Sequence, residues 1–239
     1  MSLKFSDTTN LDGIVEDIDF ACDTNSTSYS LKDKARNVNK WYLRAIAWWF
    51  EASPIWEWDD KNSTTLPVAR TTLVVGQQDY SIPTDILRLQ KVTILDAQGN
   101  EVELHPVSFD EFKRRTLDAS PTNGIPSVYC LRGDSILLDQ RPATGQVTMS
   151  SGLNLYISRD PDLFTSGDTN QTVSLPSPFA FIVSVGATYE FKKKYDKQAA
   201  ASLKVELDEY KRDFQKFLAG RVEDIKPSIK PIIRTRQYM

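Results

Sequence analysis

The chain has 239 residues, 40% hydrophobic and 26% charged, and 29 Lys and Arg against 32 Asp and Glu leave a net charge of −3. This length serves one sizeable core or two small ones, and the charge balance excludes a strongly basic nucleic-acid binder. No apolar run approaches the roughly 18 residues of a membrane span, and the opening Met1-Ser2-Leu3-Lys4-Phe5-Ser6 lacks the apolar centre of a secretion signal. Cys22 and Cys130 lie far apart without metal spacing, so they read as free, buried thiols rather than as a disulfide or zinc framework.

The first fifty residues predict two helices. Leu11, Ile14, Val15, Ile18 and Cys22 fall at helical spacing, with Asp12 and Glu16 in the early turns where the helix dipole favours acids. A polar stretch over residues 24–28 ends this helix. Ser30-Leu31-Lys32-Asp33 then has the form of a capping box with Asp in place of Glu. Behind it Leu31, Ala35, Val38, Tyr42, Ala45 and Trp49 recur at alternating steps of 4 and 3, a stripe that packs on another helix until Ser53-Pro54 stops it.

From about residue 66 to residue 175 the pattern shifts to short β runs with turn punctuation. Strands are predicted over residues 71–75, 87–95, 127–132, 135–138 and 146–157, with a hairpin turning at Arg132-Gly133-Asp134-Ser135 and one short helix over 109–117. Helix returns with Ser177-Pro178 as cap and first-turn proline. It covers residues 179–195, where Gly186 predicts a close helix crossing. A last helix is expected over 197–219, its Leu203, Leu207, Tyr210, Phe214 and Phe217 in phase and Gly220 as C-cap.

The fold expected is therefore α+β: a four-helix bundle of N- and C-terminal helix pairs with a β-rich, sandwich- or barrel-like insertion and an extended tail. The boundaries read 1–58, 59–175, 176–220 and 221–239. The tail differs from everything before it. Lys226, Lys230, Arg234 and Arg236 are unopposed by any acid from Ile225 onward, Pro227 and Pro231 forbid helix, and Ile225, Ile229, Ile232, Ile233, Tyr238 and Met239 make it too apolar for a plain disordered end. It reads as a segment that becomes ordered against another surface.

Catalytic chemistry finds little purchase. His105 is the single histidine and no Gly-x-Ser-x-Gly elbow accompanies it; neither phosphate-binding glycine motif occurs. Asp160 and Asp162 flank Pro161 without further ligands at calcium-loop spacing. Lys113-Arg114-Arg115 and Lys192-Lys193-Lys194 read as solvated helix ends, with no interleaved aromatics to stack single strands. Acids Asp59 and Asp60 beside Trp56 and Trp58 are the one arrangement that could hold or cleave a sugar, against a plainer reading in which Trp48, Trp49, Trp56 and Trp58 anchor the end of the second helix to the β domain and the acids are solvated. No catalytic residue, cofactor or metal ligand is assigned.

Several phrases occur in a telling order. Trp56-Glu57-Trp58-Asp59-Asp60 is followed by Gln77-Gln78-Asp79-Tyr80-Ser81-Ile82-Pro83, then Leu104-His105-Pro106, Arg141-Pro142-Ala143-Thr144-Gly145 and Leu175-Pro176-Ser177-Pro178 leading into Gly186-Ala187. From about residue 31 to 220 the chain resembles the head-to-tail adaptor proteins of tailed bacteriophages, the portal-docking connector rings, and is similar to the tubular proteins of short-tailed phages.

That resemblance implies a non-enzymatic virion protein of the neck, made in the host cytoplasm. It implies a ring of identical subunits, usually twelve, beneath the portal, continuing the channel for double-stranded DNA without sequence-specific binding and meeting a further neck or tail protein below. The portal-binding residues it implies are Lys226, Ile229, Lys230, Ile232, Ile233, Arg234, Arg236 and Tyr238. The alternative is a carbohydrate-binding or cell-wall-degrading virion protein using Trp56, Trp58, Asp59 and Asp60. No membrane is implied as partner.

Overall fold

The computed structural model describes residues 3–53, 57–84, 86–117 and 122–223, and its fold is mixed α+β. The helices are α1 (Ile14–Cys22), α2 (Leu31–Ala52), α3 (Phe109–Leu117), α4 (Ile182–Tyr195) and α5 (Lys197–Glu223). The chain divides into two compact units, one assembled from both sides of the sequence (through Trp58, and again from Leu163), the other from Asp59–Asp162.

In the first unit α4 packs against α1, α2 and α5. Ile14 and Ile18 of α1, Val38, Tyr42 and Ala45 of α2, Ile182, Val183 and Ala187 of α4, and Phe214 and Leu218 of α5 share one core. Each of the larger aliphatic and phenyl side chains among them, fully buried, contributes about 1.5–3 kcal/mol. The expected stripe on α2 is buried from Ala35 to Trp49. The serine half of its cap forms, the Ser30 hydroxyl accepting from the Asp33 amide at 3.2 Å, while the Asp33 carboxylate accepts from that hydroxyl at 2.8 Å in place of the backbone amide of a full capping box. Gly186 is where α2 and α4 meet, because a Cβ there would overlap the Trp41 indole.

Three features of this unit differ from the sequence expectation. Leu11 is not on α1. The Asp7 carboxylate accepts from the Thr9 and Asn10 amides, each at 3.0 Å, and closes a turn that holds Leu11 at φ +58°. That left-handed conformation costs a non-glycine residue about 1–2 kcal/mol. A 3-10 turn, Ser177–Phe179, precedes α4, which starts only at Ile182. Last, α5 runs through Gly220 to Glu223, so Gly220 is not its cap.

The second unit holds β1 (Val68–Thr71), β2 (Asp79–Ser81), β3 (Ile86–Leu95), β4 (Glu101–Glu103), β5 (His105–Pro106), β6 (Asn123–Gly124), β7 (Val128–Arg132), β8 (Ser135–Leu138), β9 (Arg141–Pro142) and β10 (Leu153–Arg159). They form sheets ordered β1-β10-β3-β4 and β2-β8-β7-β5, with a two-stranded β6-β9 pair. Alternation puts Val92, Ile94, Leu153, Leu155 and Ile157 of the first sheet in one core with Tyr80, Tyr129, Ile136 and Leu138 of the second. The β7-β8 hairpin turns at Gly133-Asp134 with Arg132 opposite Ser135 and Gly133 at φ +59°, as its sequence demands.

Here too some expectations shift. Residues 72–75 are not strand: β1 lies earlier, and Val74 and Val75 are exposed. Residues 146–152 precede the strand expected over 146–157, which starts at Leu153. Phe164, Val173 and Leu175, read from sequence as part of the β block, lie instead in the helical unit's core.

Candidate functional site

The portal-binding residues named from the resemblance, Lys226, Ile229, Lys230, Ile232, Ile233, Arg234, Arg236 and Tyr238, lie outside the described residues. What is described is the element that carries the chain to them. Helix α5 is anchored by Leu207, Phe214 and Leu218, all buried, and Phe214 packs its ring 5.9 Å from Trp49 and 5.0 Å from Phe179. The chain thus leaves the core one turn beyond Leu218 on a continuous helix, followed in sequence by four bases and no acid from Ile225 to Met239.

Of the two tryptophans in the Trp–Asp segment, Trp58 offers no open face to a sugar. Trp56 lies outside the described residues. Trp58 is 1% exposed in the helical unit's core, and its indole Nε1–H donates to the Ser174 carbonyl at 2.9 Å. Trp58 is a core residue of the helical unit rather than an anchor to the β unit, and a ring so buried offers no face to a glycan. In the β unit, Arg159 holds Asp59 in a fork, Nε to Oδ1 at 3.0 Å and Nη2 to Oδ2 at 3.2 Å. Buried Asp60 accepts from the Asn62 amide at 2.9 Å and from the Asp162 amide at 2.5 Å, bracing the loop around Pro161. These carboxylates organise loops.

The remaining singled-out residues lie on separate elements. His105 is exposed on the two-residue strand β5. Lys192, Lys193 and Lys194 occupy the last turn of α4, and Arg114 and Arg115 that of α3, where Arg115 pairs with Glu111 at 2.7 Å. Among the described residues no group of three or more His, Cys, Asp and Glu side chains comes together as metal ligands, and no helix is long and apolar enough to cross a membrane.

Sequence reasoning missed two features of α1 and α2. Lys34 is fully buried, its Nζ 2.6 Å from both carboxylate oxygens of Asp19, and beside it the Tyr29 hydroxyl accepts from Asn37 at 2.6 Å. Burial pushes the Tyr29 phenol up to about 12 and also raises the Cys22 thiol. Position 34 is in phase with Val38, Trp41 and Ala45, which is the signal that could have found it. Phe20 is the second: it lies off the Ile14–Ile18–Cys22 face and is 91% exposed. An aromatic on the polar side of an amphipathic helix was the available sign.

The helical unit is gathered from both sides of the β unit in sequence, with Trp58 in its core, while the Asp59 and Asp60 carboxylates brace loops of the β unit. Residues 17–230, spanning both units, match the sequence model of a family described as SU10 adaptor protein. This is a structural adaptor of bacteriophage. The chain belongs to the SU10 adaptor protein family, a family of phage head-to-tail adaptors. Comparison with curated proteins finds no match.

Proposed function

We propose that the chain forms a ring in the virion neck, docked beneath the portal and continuing its DNA channel. The family match over residues 17–230 carries this reading. In it the α1, α2, α4 and α5 helices act as a four-helix bundle, and twelve such bundles stand side by side. The C-terminal tail is the portal anchor, with Lys226, Ile229, Lys230, Ile232, Ile233, Arg234, Arg236 and Tyr238 as its contacts.

The chemistry of the tail supports that role: its bases seek an acidic surface, its isoleucines an apolar one, and its prolines keep it extended. A segment ordered by its partner meets the entropy of ordering at docking, which delays strong assembly until the portal is present. With a net charge of −3, the ring passes double-stranded DNA without gripping it. A further neck or tail protein binds below.

The test is to mix the full-length chain with portal particles of the same phage and image them by electron microscopy. A twelve-fold ring capping the portal is expected; portals that remain bare in an excess of the chain overturn the reading.

A further inference from the structure

The helical unit carries two patches of opposite charge that share no residue. On the first, Phe20 projects 91% exposed from α1, beside Leu11 at 70% and Phe181 at 44%. These side chains line a concavity of about 440 Å³ together with Asp12, Glu16, Asp17 and Asp19, and no base lines it. Lys34 already pairs with Asp19, and Glu16 is held by the Ser6 hydroxyl at 2.6 Å. The strap that presents Leu11 is itself tied down: the Ile14 and Val15 amides donate to the Lys4 and Phe5 carbonyls, each at 3.0 Å. Exposed aromatics gathered on a fixed frame mark a contact surface.

The second patch lies where α4 ends and α5 begins. Tyr189, Lys193, Lys197, Ala200, Ala201 and Lys204 line a concavity of about 200 Å³. Three bases and no acid rim it, and among the described residues no carboxylate pairs with Lys193, Lys197 or Lys204. The alanines leave room that longer side chains would fill. The concavity is open to solvent and of a volume comparable to that of an aromatic ring.

The geometry points to a knob-and-socket contact between neighbouring copies of this chain: Phe20 of one copy seats in the Tyr189–Ala201 socket of the next. The acids Asp12 and Asp17 around the knob face Lys193, Lys197 and Lys204 around the socket. Because the two patches differ, the contact is heterologous. Each copy keeps a free knob and a free socket, the condition for a closed ring. This inference rests on the ring reading and supplies the lateral interface that reading lacks.

Ala21, exposed beside Phe20, and Ala201 in the socket provide reporter positions, and native Cys22 and Cys130 are buried away from reagent. The full-length chain is assembled on portal particles and treated with a short bismaleimide. Ala21→Cys/Ala201→Cys chains are expected to give a ladder of covalent oligomers, an equal mixture of the two single variants dimers only, and either single variant none. Phe20→Ser, or Lys197→Glu with Lys204→Glu, added to the double-cysteine chain should reduce the ladder at least tenfold. Rings on the portal without a ladder, or a ladder indifferent to those changes, overturn the interface while the ring stands. Dimers from Ala21→Cys alone show an isologous contact and overturn it too. Absence of any ring refutes the ring reading and the interface with it.

Discussion

Replacing Gly186 by Ala sets two effects of opposite sign against each other. Alanine favours the helix over glycine by about 1 kcal/mol. The new methyl, however, overlaps the Trp41 indole, and that ring has little freedom to yield. It is 5% exposed, meets Trp48 and Tyr189 edge-on at centroid distances of 6.1 and 5.9 Å, and is covered by the Arg44 guanidinium at 4.6 Å. Overpacking of a held site costs about 1–3 kcal/mol, and the rigidity of this one places it in the upper part of that range. The net expectation is a loss of about 1–2 kcal/mol. All five tryptophans lie between Trp41 and Trp58, so tryptophan fluorescence during urea unfolding reads the helical unit without contribution from the β unit. A lower midpoint at unchanged slope is predicted. Trp41→Leu combined with Gly186→Ala should cost about 2–3 kcal/mol less than the sum of the two single changes, because the clash is then absent. A Gly186→Ala variant as stable as the parent, or more so, refutes the close-crossing argument.

Other consequences follow from single contacts. Trp58→Phe removes the indole donor from the Ser174 carbonyl and should cost about 1–3 kcal/mol in the same urea assay. Phe214→Ala deletes a fully buried ring between Trp49 and Phe179 and should cost about 3–5 kcal/mol. The Tyr29 phenol is raised from 10.0 to about 12, so the unfolded chain ionises first; stability held below pH 10 drains as pH climbs toward 12, and Tyr29→Phe should flatten that part of the profile. Asp7 behaves in the opposite sense: hydrogen bonds from Asn10 lower its carboxyl from 3.8 to about 2, its contribution is present above pH 3.8 and lost below, and Asp7→Asn should remove that acid limb.

What the sequence made legible were the elements with several mutually reinforcing signals. The α2 stripe carried six residues at helical spacing behind a capping serine, Gly186 sat among apolar residues in mid-helix, and Gly133-Asp134 separated two β runs by two residues. Leu11 misled because it keeps the helical spacing of Ile14 and Ile18 while a side chain four positions earlier, Asp7, turns the backbone away. Strands β5, β6 and β9 have two residues each, too few to show an alternation. Residues 163–175 read as part of the β block because Phe164, Val173 and Leu175 are too widely spread to show a pattern of their own, and only the fold brings them to the helical core. Exposure was least legible of all: Phe20 and Trp58 are both aromatic in helical or linker sequence, one 91% exposed and the other 1%.

The central claim, that the chain anchors to a portal through its C-terminal tail, is tested most directly by co-sedimenting the full-length chain and a chain ending before Val222 with portal particles of the same phage. The anchoring residues Phe214 and Leu218 remain in both, so tryptophan fluorescence should report the same folded helical unit. The account predicts that the full-length chain sediments with the portal and the shortened one stays in solution. Equal binding by both would contradict it.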